Sequence, residues 1–136
     1  MKNSTKTWKG SRHPRKQRKW VARAPLHARN TLLSAPVMKS LREKLHTRNI
    51  PIRKGDKVKI LRGQFTGKIG NVLRVDTKKY NVFVEGVEMA RKNGAKVLYG
   101  IHPSKVMIVE VHEDKRRFKH MKAKTEKAEE KVEHHG

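Results

Sequence analysis

Arg12, Arg15, Lys16, Arg18, Lys19, Arg23 and Arg29 stand close together near the start of the chain, and no carboxylate interrupts them. The first acid is Glu43, and the 42 residues ahead of it hold 12 Lys or Arg. Guanidinium forks match phosphate oxygens two at a time, while ammonium groups act as point charges, so such a run is suited to gripping a polyanion. Trp20 lies inside it and offers a flat face to an unstacked base or an arginine plane. It could equally anchor the run to an apolar core. A generic basic patch, such as a nuclear-localisation signal, is the plainer reading of the same charges.

A second candidate lies between Arg62 and Gly70. Gly63, Gly67 and Gly70 fall within eight residues, flanked by Arg62 and Lys68. Closely spaced glycines permit positive φ and close backbone approach, which serves a tight turn or bulge as well as a ligand contact. Gly63-x-x-x-Gly67-Lys68 superficially resembles a phosphate-binding nucleotide loop. It is one residue short, has Ile69 where a metal-binding Ser or Thr is needed, and precedes a strand rather than a helix.

Other chemistries find no footing. Cysteine is absent, which removes disulfides, Cys-containing zinc fingers, iron–sulfur clusters and thiol nucleophiles, and fits a reducing compartment. The eight histidines are scattered without an HExxH pattern, and neither a Ser/His/Asp order nor a carboxylate pair can be assembled from the 12 acids. No enzyme, metal, cofactor or small-molecule substrate is expected. The start lacks an apolar signal-peptide core, and no run of about 18 apolar residues occurs, so no membrane role is expected either. Two prolines and few apolar positions argue against an organellar transit peptide.

The 136 residues carry a formal net charge of +23, with 35% hydrophobic and 35% charged side chains. That excess repels itself without a polyanionic partner, and the apolar content supports only one small core with long tails. The charge is uneven: residues 43–109 hold 15 basic and 5 acidic side chains, and residues 110–136 hold 8 and 7.

The elements that would position these groups follow from periodicity. Residues 1–24 show no apolar repeat and read as an extended basic arm. Residues 25–50 read as two short helices, the first starting at Pro25 and the second carrying Val37, Leu41 and Leu45 on one stripe with Lys39 off it. Ser34-Ala35-Pro36 interrupts them, and Asn49-Ile50-Pro51 ends the second. Residues 51–111 read as a small β-barrel with strands at Lys57–Leu61, Ile69–Val75, Tyr80–Glu85, Val87–Arg91, Lys96–Tyr99 and Val106–Val111. Asn93-Gly94 marks a hairpin, and His102-Pro103-Ser104-Lys105 a tight turn. Residues 112–136 read as an exposed charged helix grading into a tail.

At Gly55-Asp56-Lys57-Val58 and Gly67-Lys68-Ile69-Gly70-Asn71-Val72 the chain resembles the KOW motif of SH3-like barrels. Further stretches, Pro14-Arg15-Lys16-Gln17-Arg18-Lys19, Ala24-Pro25-Leu26-His27-Ala28-Arg29, Leu33-Ser34-Ala35-Pro36 and Gly100-Ile101-His102-Pro103-Ser104-Lys105-Val106, are similar to the large-subunit ribosomal protein family numbered twenty-four in archaea and twenty-six in eukaryotes. The resemblance spans roughly residues 11–118. It implies a mainly β, SH3-like barrel with a basic N-terminal extension, acting in the cytoplasmic ribosome. It also implies binding to large-subunit ribosomal RNA beside neighbouring ribosomal proteins, near the peptide exit side, and early entry into assembly.

By the same resemblance Arg15, Lys16, Arg18, Lys19, His27, Arg29, Arg53, Lys54, Arg62, Lys68, His102, Ser104 and Lys105 fall on RNA-contacting positions. Arg12, Trp20, Arg23 and Lys39 join them from the charge and aromatic pattern. A transcription-associated KOW protein, or another nucleic-acid binder, is the alternative on charge and barrel alone.

Overall fold

A computed structural model describes residue 8, residues 10–112 and residue 117. The chain forms helices α1 (Pro14–Arg23), α2 (Leu26–Leu32) and α3 (Lys39–Leu45) and strands β1 (Ser34–Pro36), β2 (Asn49–Pro51), β3 (Lys57–Ile60), β4 (Ile69–Asp76), β5 (Asn81–Ala90), β6 (Lys96–Ile101) and β7 (Val106–Glu110), with a 3-10 turn at Pro103–Lys105. The fold is mainly β, a small KOW/SH3-like barrel in which five antiparallel strands run in the order β6-β5-β4-β3-β7.

Alternation decides which face turns inward. In β3, Val58 and Ile60 are buried while Lys57 and Lys59 are partly exposed, and Val106 and Ile108 of β7 continue the same inner face. Val72, Val82, Val84, Val87 and Ile101 complete a core made almost wholly of β-branched side chains, the type that packs best on a pleated surface. Ala35, Val37, Ile50 and Ile52 belong to that core too, so the stretch ahead of the barrel contributes to its interior.

β1 and β2 pair antiparallel, Ala35 opposite Ile50, where the sequence suggested only a helix interruption and a helix end. Pro36 and Pro51 cannot donate to a ladder, and each sits at the end of its strand, where a proline is tolerated. Val37, expected on the stripe of the second helix, precedes α3 instead. It is fully buried and bridges Ile108, while the Met38 amide donates to the Ile108 carbonyl at 2.9 Å. Leu41 and Leu45 do pack against the core.

The expected extended arm is corrected most clearly. Pro14 to Arg23 is helical: Pro14 occupies the first turn, where its missing N–H costs nothing, and Arg, Lys and Gln are good helix formers. At 3.6 residues per turn, Arg15, Lys16, Arg18, Lys19 and Arg23 share an arc of about 160°. Gln17, Trp20 and Val21 lie off that arc, and Trp20 and Val21 are half-buried. The Tyr80 hydroxyl, 59 residues away in sequence, donates to the Val21 carbonyl at 3.0 Å and ties the helix to the β4–β5 turn.

The two strands expected at Tyr80–Glu85 and Val87–Arg91 are one, β5. Gly86 at φ +73 absorbs an irregularity in the pairing without ending the strand. Tyr80 itself, at φ +55, belongs to the turn. Gly63 and Gly67 also have positive φ, while Gly70 is fixed by packing: a Cβ there would stand 2.7 Å from the Glu85 carbonyl oxygen. The glycine cluster thus shapes the turn and the β4–β5 contact. Apart from Arg117, the expected helix and tail beyond His112 lie outside the described residues.

Asp56 is the one fully buried carboxylate among the described residues. Its Oδ1 accepts from the His112 amide (3.0 Å) and Arg117 Nη1 (2.6 Å), and its Oδ2 from the Arg53 amide (2.9 Å) and Arg117 Nη2 (3.0 Å). Arg117 Nη2 also donates to the Pro51 carbonyl at 2.7 Å. Removing one partner strands the other's charge in the interior. Arg117→Ala is therefore expected to cost about 3 kcal/mol or more in urea unfolding. Lys57→Ala, which breaks the exposed pair with Glu110 at 3.0 Å, should cost less than about 1 kcal/mol.

Candidate nucleic-acid interface

The cations singled out from the sequence fall into separate neighbourhoods. Arg12, Arg15, Lys16, Arg18, Lys19 and Arg23 are exposed on or just ahead of α1. Among the described residues no acid precedes Glu43, so this surface has no local counter-charge from its own segment. Trp20 is stacked on Trp8, with ring centroids 5.3 Å apart and planes 25° from parallel. One face of the indole is therefore occupied within the chain, by a residue of the same N-terminal segment.

His27 is exposed on α2, and Lys39 on the first turn of α3. Arg29 is largely engaged inside the protein: its Nε donates to the Ala24 carbonyl at 2.8 Å and its Nη2 to the Ala22 carbonyl at 2.9 Å. These are carbonyls left over at the end of α1, where a cation also complements the helix dipole. Arg29 thus fixes the corner between α1 and α2 and sets the direction in which the cationic helix leaves the barrel.

A second neighbourhood lies at the glycine turn. Arg62 is exposed beside it, and the Leu61 amide donates to the Lys105 carbonyl at 2.8 Å, joining this end of β3 to the 3-10 turn. Lys105 is exposed there. His102 Nδ1 lies 2.9 Å from the Ser104 hydroxyl and 3.3 Å from its amide, so both side chains serve the turn that presents Lys105. Lys68 reaches the Gly86 carbonyl at 3.2 Å and sits 5.3 Å from the Phe65 ring centroid, and Phe65 in turn meets Tyr99 at 5.5 Å. Arg53 and Lys54 form a third neighbourhood, exposed at the turn into β3.

Several cations beside these groups were not singled out from the sequence. Arg74 stands near Arg53 and Lys54, and Arg91, Lys92 and Lys96 are exposed around the end of the β5–β6 hairpin. The Asn93-Gly94 turn already brackets the hairpin cations in the sequence. Arg74 carries no such signal, because its position depends on strand register. Asp76 near it accepts from the Lys79 and Lys78 amides. The Lys79 hydrogen bond is the main cause that holds its carboxyl below the usual value, with help from Lys78 and the Arg74 charge.

A small β-barrel that carries an acid-free cationic helix and several cationic turns defines a basic ribonucleoprotein-type module. The family model that describes the eukaryotic ribosomal protein L26 and its archaeal counterpart, numbered twenty-four, matches residues 11–124, and the chain belongs to that family of large-subunit ribosomal proteins. It is accordingly a structural constituent of the ribosome.

Two outcomes follow from this geometry. Arg29→Ala should loosen α1 by about 1–2 kcal/mol, seen as faster amide exchange across Gln17–Arg23, and Arg29→Lys should not fully restore protection because an ammonium cannot bridge both carbonyls as a fork does. Asp76 supplies stability that is present above the usual carboxylate range and lost as pH falls through its lowered value. Its NMR titration midpoint should lie below the ordinary value of 3.8, and Asp76→Asn should flatten that part of the acid unfolding profile.

Proposed function

We propose that this chain binds large-subunit ribosomal RNA through the cationic face of α1 and the basic turns of the barrel. The observation that carries this reading is the arrangement of Arg15, Lys16, Arg18, Lys19 and Arg23 on one exposed arc of a helix braced by Tyr80 and Arg29. Arg12, His27, Lys39, Arg53, Lys54, Arg62, Lys68, His102, Ser104 and Lys105 extend the contact surface, some by charge and others by holding a turn. Trp20 and Arg29 act chiefly by positioning the helix.

The role is architectural and non-catalytic. The barrel is a rigid platform, the helix neutralises phosphates between RNA segments, and neighbouring ribosomal proteins complete the surroundings. By this reading the chain works in the large subunit in the cytoplasm, near the peptide exit side, and takes part in early assembly; membership in a large-subunit ribosomal protein family supports the first of these.

The test uses the full chain and an in vitro transcript of large-subunit ribosomal RNA across a salt series. Each phosphate contact contributes roughly 0.7 to 0.9 to the slope of log affinity against log salt. Replacing Arg15, Lys16, Arg18 and Lys19 by alanine should reduce the slope by roughly 3 and leave the β-sheet circular dichroism intact. Unchanged affinity and slope in that variant would overturn the assignment of α1 as the main contact. On sucrose gradients the wild-type chain should travel with the large subunit through a moderate salt wash.

A further inference from the structure

A cavity of about 640 Å³ opens between the end of α2, the segment from β2 to β3, and β4. That volume lies within the range of pockets that hold small organic ligands. Arg53, Lys54 and Arg74 stand on its rim, and among the described residues no carboxylate side chain is part of its wall. The rim is well held, because the Arg53 amide is one of the donors to buried Asp56.

The wall also contains Pro51 and Leu73, and Leu73 is 40% exposed. Strand register explains why. Val72 pairs with Val84 and Arg74 with Phe83, so Leu73 is the extra residue of a β-bulge. A bulge gives up ladder pairing and re-aims a side chain. Here it leaves a leucine in water beside cations, an arrangement that the chain's own packing does not reward. Arg74 has its guanidinium 5.1 Å from the Phe83 ring and its side chain 70% exposed. The nearby Asp76 carboxylate is 3.9 Å away and serves two backbone amides.

An apolar wall with a cationic rim is complementary to one chemical object in particular, a nucleotide, which has a flat apolar face and anionic ends. We propose that this groove seats a single unpaired nucleotide of the bound RNA, its base against Leu73 and Pro51 and its flanking phosphates beside Lys54 and Arg74. The inference rests on the RNA-binding reading above and adds to it a site that distinguishes a splayed-out base from plain backbone.

The full chain is titrated, by fluorescence anisotropy, into a short single-stranded RNA and into the same strand carrying abasic riboses. The wild type should prefer the base-bearing strand by roughly tenfold, within the scale of single-base contacts. Leu73→Ala, at an exposed site, should lower that preference at least about threefold and leave affinity for the abasic strand unchanged. Arg74→Gln should weaken both strands. The alanine variant of Arg15, Lys16, Arg18 and Lys19 should weaken both equally and keep the ratio. A wild type that binds both strands alike, or a Leu73→Ala variant that keeps the full preference, overturns the groove and leaves the RNA-binding reading standing. A wild type that binds neither strand, nor the ribosomal RNA transcript, overturns both.

Discussion

The Asp56 carboxylate accepts four hydrogen bonds from three separate parts of the chain, and each holds a different edge of the barrel. The Arg53 amide fixes the turn into β3, the His112 amide fixes the exit from β7, and the Arg117 fork closes over both and reaches on to Pro51 in β2. A charged group at zero exposure survives only if such a shell replaces its water. Both carboxylate oxygens are satisfied in the observed arrangement, so the pair ties β2, the turn into β3 and the exit from β7 to one another.

Three other acids among the described residues are used in a similar way. Asp76 holds the β4–β5 turn through two amides, Glu85 accepts from Asn71 across β4 and β5, and Glu110 pairs with Lys57 across β3 and β7. Each of these carboxylates stabilises the barrel at a joint. These four acids sit where strands must be registered, and the cationic face of α1 is left without an acid from its own segment. Self-repulsion along that helix is the cost of the arrangement, and Tyr80 and Arg29 offset it with bonds to backbone carbonyls.

The barrel was legible in the sequence because Val58 and Ile60 alternate with Lys57 and Lys59, Val106–Val109 is a short apolar run, and glycine and Asn-Gly turns mark the intervals. The β1–β2 pair was not, since three residues are too few to carry a period and each strand contains a proline. The helicity of α1 was obscured by its charge: a segment with two half-buried apolar side chains has no visible stripe, and its supports come from Arg29 and from Tyr80, far along the chain. The Asp56–Arg117 pair, 61 residues apart, has no local signature at all. Among the candidate contacts, residue type identified the exposed cations but could not tell Arg29, engaged with backbone, from Arg15, exposed on the helix.

A preformed α1 changes the energetics expected of the basic segment. An extended arm would have to be ordered upon RNA, at about 1–2 kcal/mol of backbone entropy per residue fixed, and its phosphate contacts would first have to offset that loss. On the proposed RNA-binding reading, a helix already bracketed at Val21 and Ala24 would meet RNA with its cations on one arc, so more of each contact would appear as affinity. The same brackets restrict where the helix can point. Specificity in this segment would then come from the shape of the RNA surface that can meet a rigid cationic face at a set angle to the barrel, rather than from reading bases along a flexible arm.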